Sequence, residues 1–341
     1  MTLKPVRINE RGTAMTRHYA IISLFIFLIL TACAAPQVKL FPDATDPLQE
    51  FVIQGTADGK LLVVTVQGII STNPEEKFMR TMPSLVQEVV AQLKLAEKDP
   101  EIKCVLLKID TPGGTTTASD ILYHEIMAFK RKTGKKIVVA MMDIAASGGY
   151  YISLPADLIM AHPTTVTGSV GVIFMRPNVT ELMRKIGLAM AVNKSGENKD
   201  MGSPFRPSDE KEQAIFQEVT DGLGKRFLNL VAQNRKLSDA QLSEVSTARI
   251  FLAREAKKLG LIDKIGYLDD ALEEAKKLAG LPEDAKVIAY RRSEFPNDNL
   301  YNPLSQPSTP PSPALIHLGI AEALNHLKPG FYYLWTPATE M

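Results

Sequence analysis

A serine that could act as a nucleophile, Ser147, lies in residues 146–151, which have the sequence ASGGYY. It follows an apolar run at 137–141 that is typical of a buried strand, and the two glycines after it allow a tight turn into a helix. Such a strand-to-helix turn makes a hydroxyl project from the backbone, as an activated serine requires. The alternative interpretation is an ordinary serine that caps the following helix.

A second pair of glycines follows another predicted strand, in residues 110–114 with the sequence DTPGG. Because the carboxyl ends of parallel strands meet at one edge of a sheet, this loop can direct backbone N–H groups into the same crevice as Ser147. Acyl transfer needs two such donors for the oxyanion. Gly114 and Gly148 are the candidates, and a plain turn is the alternative at residues 110–114.

A serine nucleophile also needs a base. Of the five histidines, four lie beyond the N-terminal apolar segment, and none has surroundings that predict a Ser-His-Asp triad: His124, His162, His317 and His326. A lysine can serve instead if burial lowers its pKa from about 10.4 to about 7–8. Residues 194–200, KSGENKD, follow a predicted strand at 189–193 and offer Lys194 and Lys199. These residues alone do not decide between the two lysines, and a solvent-exposed loop is the alternative.

The segments that position these residues alternate between strand and helix patterns. Short apolar runs predict strands, and apolar residues at helical spacing predict helices between them; the strands fall at 61–66, 104–109, 137–141, 158–161, 169–174 and 286–290, and the helices at 85–98, 118–131 and over much of 208–279. This alternation predicts an α/β architecture with mostly parallel strands.

The composition limits the classes of partner. The chain has 39 basic and 38 acidic residues and a formal net charge of +1, so it lacks the strong positive field of a nucleic-acid-binding protein. Cys104 lies in an apolar run and is predicted to be a buried thiol, whereas Cys33 ends an apolar stretch, so we expect no disulfide between them. We expect neither a metal ion nor a cofactor.

The N-terminus indicates export. Residues 19–30 are apolar and have the length of a signal-peptide core, which is short for a membrane span of about 20 residues. Residues 30–33, LTAC, resemble the lipobox of bacterial lipoproteins, in which Cys33 would be the site of lipid attachment. An uncleaved signal anchor is the alternative. Both predict a protein anchored to a membrane of the bacterial cell envelope, with its catalytic domain on the periplasmic face.

Four motifs, in order, resemble the bacterial signal peptide peptidase A (SppA) family: DTPGG at 110–114, ASGGYY at 146–151, GSVGV at 168–172 and SGENKDMGSP at 195–204. The resemblance runs from about residue 60 to residue 279 and includes RIFLA at 249–253 and GLID at 260–263. It implies a ClpP/crotonase-like fold of stacked strand-strand-helix units with a helical C-terminal part.

The resemblance also implies roles for individual residues. Matched motif to motif, Ser147 is the nucleophile, and Lys199 rather than Lys194 is the base. Gly114 and Gly148 line the oxyanion hole, and Ser169 supports the lysine ammonium. The implied substrates are cleaved signal peptides and similar hydrophobic peptides. The implied assembly is a ring-shaped homo-oligomer in which neighbouring subunits complete one another's sites.

The predicted organisation has four parts: a signal segment with the lipobox (1–33), a tether (34–59), the peptidase domain (60–292), and a Pro/Ser-rich linker with an apolar C-terminal tail (293–341). Two other functions deserve comparison, an inactive lipoprotein scaffold and a crotonase-type acyl-CoA enzyme. The joint presence of Ser147 and Lys199 argues against the scaffold. Export argues against the acyl-CoA enzyme, because CoA chemistry is cytoplasmic and the chain shows no pair of catalytic acids.

Overall fold

The computed structural model describes residues 46–77, 80–302 and 329–338, and its central feature is a large mixed sheet. The strands are β1 (Gln49–Gln54), β2 (Ala57–Gln67), β3 (Glu75–Lys77), β4 (Arg80–Met82), β5 (Ile102–Thr111), β6 (Gly113–Thr115), β7 (Lys136–Ala146), β8 (Leu158–Ala161), β9 (Val166–Gly168), β10 (Ile173–Met175), β11 (Ile250–Leu252), β12 (Lys264–Ile265), β13 (Ala285–Arg291) and β14 (Gly330–Leu334). The helices are α1 (Leu85–Lys98), α2 (Thr116–Thr133), α3 (Gly148–Ser153), α4 (Thr180–Lys185), α5 (Glu210–Asn234), α6 (Asp239–Ser246), α7 (Ala253–Lys258) and α8 (Leu268–Ala279).

The main sheet has the order β1-β13-β2-β5-β7-β8-β12, and β9 joins it by pairing with β7 and β11. Strands β13, β2, β5, β7, β8 and β12 pair in parallel along this path, whereas β1 is antiparallel to β13. Buried apolar side chains come from both faces of the central strands, because helices cover the sheet. The predicted α/β class with mostly parallel strands is confirmed.

Successive strand-strand-helix units build this sheet. After β5 leaves the main sheet, the chain forms the short strand β6 in a second sheet, of order β10-β14-β6, and then enters helix α2. Thr115 caps α2 by accepting a hydrogen bond from the Ala118 N–H, and Gly134 ends the helix with a left-handed φ of 67°. Helices α5 to α8 form the helical C-terminal part. The predicted ClpP/crotonase-like organisation is therefore confirmed.

The buried thiol predicted at Cys104 is confirmed, because this residue has no exposed surface and makes no disulfide. Burial raises the pKa of its thiol to about 12. Cys33 and the predicted signal segment lie outside the described residues, as does most of the Pro/Ser-rich linker. Within the described residues, no helix combines the length and the apolar character needed to cross a membrane.

Three segments differ from the sequence prediction. The tether predicted at 34–59 includes β1 and the first residues of β2, and the mixed composition of β1 reflects its position at the partly exposed edge of the sheet. The predicted strand at 169–174 is divided, since β9 ends at Gly168 and β10 begins at Ile173. The predicted strand at 189–193 is wrong for the described chain. This segment pairs with no strand among the described residues, and the side chains of Met190 and Val192 are 52% and 53% exposed.

Candidate active site

Ser147 occupies a strained turn between β7 and α3. Its backbone has φ 51° and ψ −113°, a conformation that non-glycine residues rarely adopt and that costs about 1–3 kcal/mol. Its N–H donates to the Gly168 carbonyl at 2.8 Å, which fixes the turn against the end of β9. The side chain does not cap α3, so the interpretation of Ser147 as an ordinary capping serine is wrong.

The Ser147 hydroxyl is buried but makes no hydrogen bond. The residue is 1% exposed, and its Oγ has no partner within the described chain. A buried hydroxyl without a partner costs about 1–3 kcal/mol relative to one that is satisfied. A purely structural serine would be expected to have a partner, so this hydroxyl is a candidate for chemistry.

The two glycine loops meet beside this turn. A Cβ placed on Gly113, whose φ is 107°, would lie 2.7 Å from the Gly148 nitrogen, and one placed on Gly149 would lie 3.0 Å from the Thr111 carbonyl oxygen. Only glycine allows backbones to approach so closely. The sequence-based expectation that both loops line one crevice agrees with these contacts.

The direction of the Gly114 N–H follows from the hydrogen bonds of β6. On one edge of β6, the Ile70 N–H donates to the Gly113 carbonyl at 2.8 Å and the Thr115 N–H donates to the Ile70 carbonyl at 3.0 Å. Because successive residues of a strand direct their polar groups to opposite edges, the Gly114 N–H points away from Ile70. It points to the same side as the Gly148 turn, where an oxyanion donor is needed.

The predicted base does not reach Ser147 within the described chain. Because the Ser147 Oγ has no hydrogen-bond partner there, neither Lys194 nor Lys199 forms a hydrogen bond with it. Lys194 instead pairs with Asp200 at 2.8 Å. Lys199 is exposed, on a turn in which its N–H donates to the Gly196 carbonyl at 3.1 Å.

Ser169 lies next to the Ser147 turn through the backbone. It has a left-handed φ of 50°, and its N–H donates to the Arg249 carbonyl at 2.9 Å. The preceding residue, Gly168, accepts the hydrogen bond from Ser147. The motifs at 168–172 and 249–253 therefore support the turn that presents the nucleophile.

Tyr150, which follows the glycine pair, contacts the GLID motif at 260–263. It is fully buried, and its hydroxyl donates to the Leu261 carbonyl at 2.8 Å. Asp263 accepts a hydrogen bond from the Ile159 N–H at 2.7 Å and pairs with Arg235. The GLID segment at 260–263 thus holds α3 and β8 in place.

An aromatic cluster beside the site was missed by sequence reasoning. Tyr151 stacks on Tyr333 with ring centroids 4.9 Å apart, and Phe227 lies 4.8 Å from Tyr151 and 4.9 Å from Tyr333. These residues come from α3, α5 and β14, so no local pattern links them. The only signal was the pair of tyrosines that ends ASGGYY.

A charged pair anchors this cluster. The Tyr151 hydroxyl and the Arg226 guanidinium both donate to the Asp120 carboxylate at 2.6 Å. Burial alone would raise the pKa of Asp120, but these two hydrogen bonds outweigh it and lower the pKa. Burial is the main cause that raises the pKa of Tyr151, and the hydrogen bond to Asp120 raises it further. Tyr151 therefore remains a neutral donor and holds its ring in a fixed orientation.

Comparison with known proteins gives four similarities. Residues 129–282 match the family model described as Peptidase family S49. A putative signal peptide peptidase SppA of Enterococcus faecium is 36% identical over 253 residues, which cover 74% of this chain and 73% of the relative. Protease 4 of Haemophilus influenzae is 31% identical over 261 residues, 76% of this chain but only 41% of that protein. A solved structure of ClpP1 from Listeria monocytogenes aligns with a TM-score of 0.41 and 20% identity over 62% of this chain and 94% of that one.

Proposed function

Because the chain belongs to peptidase family S49 and is a serine-type peptidase, we propose that it is a membrane-associated endopeptidase that cleaves hydrophobic peptides with Ser147 and Lys199. One observation carries the assignment of Ser147. Its hydroxyl is buried without a partner on a strained strand-to-helix turn, between two glycine loops that offer backbone donors. A serine that only supported the fold would need neither the strain nor the missing partner.

In the proposed reaction, the Ser147 Oγ attacks the scissile carbonyl while the Lys199 amine takes the hydroxyl proton. The Gly114 and Gly148 N–H groups stabilise the negative charge that develops on the carbonyl oxygen. The C–N bond then breaks, the lysine ammonium returns its proton to the leaving amine, and an acyl-enzyme remains on Ser147. Water, deprotonated by the same lysine, releases the acid product. No metal ion or cofactor takes part.

We assign the base to a neighbouring subunit. The Ser147 hydroxyl lacks a partner within the described part of its own chain, and Lys199 is exposed on a turn that follows residues 188–192, whose apolar side chains also face solvent. A second copy that covered this segment would bury the lysine, and burial is what lowers an amine pKa enough for general-base catalysis. Contacts between unlike surfaces of identical chains close into rings. Ser169 would then hold the ammonium group near Ser147.

The proposed substrates are cleaved signal peptides and similar hydrophobic segments, as the name of the Enterococcus faecium relative suggests. The proposed location is the periplasmic face of a bacterial envelope membrane, with anchoring through a lipid on Cys33 or through an uncleaved signal anchor. Anchoring would bring the site to the surface where such peptides are released.

Labelling with a fluorophosphonate tests the nucleophile directly. The wild-type chain should be modified at Ser147, and Ser147→Ala should lose both labelling and peptide cleavage. Because the hydroxyl has no hydrogen bond to lose, the melting temperature of this variant should change little. Retained cleavage in Ser147→Ala would contradict the assignment, and absence of labelling in an assembled wild-type protein would favour an inactive scaffold.

Two matched lysine variants test the base. Lys199→Ala and Lys199→Arg should be inactive, because a guanidinium does not lose its proton. Lys194→Ala, which removes one of the two cations that pair with Asp200 while Arg206 remains, should retain cleavage. In the wild type, activity should rise with pH, since the base acts only after it is deprotonated. Inactive Lys194→Ala together with active Lys199→Ala would reverse the assignment.

Mixing the two inactive chains tests whether subunits share the site. With random mixing of equal amounts of Ser147→Ala and Lys199→Ala, a shared site receives an intact serine half the time and an intact lysine half the time. About one quarter of the sites should therefore recover in a ring with heterologous contacts. No recovery in confirmed mixed assemblies would mean that each chain completes its own site.

A further inference from the structure

The loop that carries Lys199 is held by the side chain of one arginine. The Arg206 Nε donates to the Asp200 Oδ2 at 2.8 Å, and its Nη2 donates to the Asp200 Oδ1 at 2.9 Å. The same Nη2 also donates to the Asp200 backbone carbonyl at 3.2 Å. A two-pronged pair of this kind fixes orientation as well as distance. The residue that directly follows the proposed base is therefore held on both its side chain and its backbone.

The other side of the same guanidinium reaches helix α5. The Arg206 Nη1 donates to the Glu212 carboxylate at 3.1 Å, and the Arg206 Nη2 contacts it as well. Glu212 lies in the first turn of α5, is only 3% exposed, and donates its N–H to the capping residue Asp209 at 2.8 Å. A carboxylate so deeply buried needs a charged partner. Arg206 therefore joins the Lys199 loop to the start of a helix of 25 residues.

The other bonds of this loop are mostly local. Residues 196–203 form consecutive tight turns, in which the N–H groups of alternate residues donate to carbonyls three residues earlier at 3.0–3.1 Å. Such bonds shape the turns but do not tie them to the rest of the fold. The Lys211–Glu197 ion pair does reach α5, but its side chains are 60% and 75% exposed, and exposed pairs contribute little. Arg206 is therefore the principal side-chain anchor of the loop.

The carboxylates nearest to Lys199 in the sequence are already paired with other cations. Asp200 pairs with Arg206 and Lys194, and Glu197 pairs with Lys211. Hydrogen bonds from Arg206, and then from Lys194, hold the pKa of Asp200 well below its usual range. None of these ion pairs involves Lys199. A carboxylate paired with Lys199 would stabilise its ammonium form, whereas a general base must lose that proton.

We infer that Arg206 is a positioning residue for the proposed base, which fixes the Lys199 turn on α5 and keeps the Asp200 carboxylate away from the lysine amine. This inference rests on the proposed function, because it takes Lys199 as the base. Arg206 acts through Asp200 and Glu212 and does not touch the substrate. In the proposed ring, Arg206 therefore serves the site that its own lysine enters, and not the site that contains its own serine.

Substitutions at this position separate geometry from charge. Arg206→Gln should lower kcat/KM about 100-fold, the scale of a 1 Å misplacement of a catalytic group. Arg206→Lys keeps the charge but lacks the planar fork that bridges two carboxylates, so it should also lose activity. A fluorogenic hydrophobic peptide would measure both losses.

The pH profile reports the charge alone. Arg206→Gln leaves Glu212 without this cation and Asp200 with Lys194 alone, so the rise of activity should move to higher pH by about 1 unit. Arg206→Lys should not move it, and adding Asp200→Asn to Arg206→Gln should reverse the shift without restoring the rate. The other charged residues on the elements beside the loop stay constant in these variants: Glu181, Arg184 and Lys185 on α4, and Asp209, Glu210 and Lys211 at the start of α5.

Mixed assemblies separate positioning from a general role in folding. In the mixture of Ser147→Ala with Lys199→Ala, the Ser147→Ala chain supplies the lysine of every recovered site. Arg206→Gln added to that chain should lower the recovered activity about 100-fold. The same change added to the Lys199→Ala chain, which supplies only the serine, should leave the recovered activity unchanged.

Arg235→Gln is the matched control for an arginine that only supports the fold. Arg235 also pairs with an aspartate, Asp263, and donates to a backbone carbonyl, that of Gly260, at 2.8 Å. Its loss should affect the recovered activity to the same extent from either chain. If Arg206→Gln does not fold, Arg206→Lys takes its place in the mixtures.

The outcomes distinguish this inference from the proposed function. Equal effects of Arg206→Gln from either chain, in a mixture whose parent recovers activity, would overturn the inference and leave the proposed function standing. If the parent mixture recovers nothing, each chain completes its own site and the pH profile decides: a shift that Asp200→Asn reverses supports the inference, and an unshifted profile overturns it. If Lys199→Ala is active by itself, the proposed base is wrong and the inference fails with it.

Discussion

The close approach at Gly148 allows a sharp test of the site, in which a single methyl group is added next to the proposed oxyanion donor. A Cβ at this position would lie 2.5 Å from the Ser119 Oγ and 3.1 Å from both the Gly113 Cα and the Tyr333 oxygen. The matched control is Gly222→Ala, on the exposed side of α5, where an added Cβ has no atom within 4 Å.

Two of the three contacts of the added methyl group have different consequences. The Ser119 hydroxyl is held by its hydrogen bond to the Thr115 carbonyl at 3.0 Å, so crowding it should cost stability, about 1–3 kcal/mol for an overpacked site. The 3.1 Å contact with the Tyr333 oxygen crowds the space between the two glycine loops, where the proposed oxyanion would lie. Full loss of an oxyanion donor lowers kcat by about 10²–10³, so we expect Gly148→Ala to lower kcat/KM by about 10². Gly222→Ala should stabilise α5 by about 0.5–1 kcal/mol and leave kcat/KM unchanged.

A double variant separates stability from activity. Ser119→Ala removes the hydroxyl that the new methyl group meets, so Gly148→Ala combined with Ser119→Ala should regain stability in urea unfolding. It should not regain kcat/KM toward a hydrophobic peptide, because the 3.1 Å contact at the oxygen position persists. Full activity in Gly148→Ala, or activity that returns in proportion to stability in the double variant, would refute Gly148 as a donor to the oxyanion.

Three further outcomes are expected. Burial, aided by the nearby Arg291 charge, lowers the pKa of Lys108 from 10.5 to about 8. Because the unfolded chain keeps this proton up to a higher pH than the folded chain does, the free energy of unfolding should rise between pH 8 and 10.5, by at most about 3 kcal/mol. Urea unfolding should show this rise in the wild type but not in Lys108→Met. Tyr151→Phe leaves Asp120 without one donor and should cost about 1.5–3 kcal/mol, whereas Tyr123→Phe should cost less in the same assay. Cys33→Ala should abolish lipid modification and membrane association, and mass spectrometry showing an unmodified Cys33 in an intact N-terminal segment would favour the signal anchor.

The sequence predicted the elements whose signals are local. Strands β5 and β7 contain the apolar runs 104–107 and 137–142, α1 covers the predicted helix at 85–98, and each glycine pair begins two residues after its strand ends. Because parallel strands place their carboxyl ends at one edge, the meeting of the DTPGG and ASGGYY loops follows from the alternation of strand and helix alone. The positive φ of Ser147 is the backbone conformation that the tight ASGGYY turn imposes on this residue.

The sequence pattern did not predict which distant strands pair with each other. Strand β14 pairs with β6 more than 200 residues earlier, and its five residues carry no pattern that names their partner. The aromatic cluster depends on the same pairing, because β14 places Tyr333 against Tyr151 and Phe227. The predicted strand at 189–193 shows the opposite error, because its apolar residues indicate a strand for which the described chain provides no partner. The pattern of apolar residues indicates which face of a strand is buried, but it does not indicate which strand pairs with it.

The exposed apolar segment at 188–192 has an explanation under the proposed function. A second copy that packed against this segment would also cover Lys199, which is exposed on the turn that follows it. Within the described residues, the Ser147 hydroxyl has no hydrogen-bond partner. A lysine base needs burial before it can accept a proton, so an unassembled chain would have a nucleophile without a base. Cleavage would then require assembly with a neighbour, and the mixing of Ser147→Ala with Lys199→Ala tests that requirement.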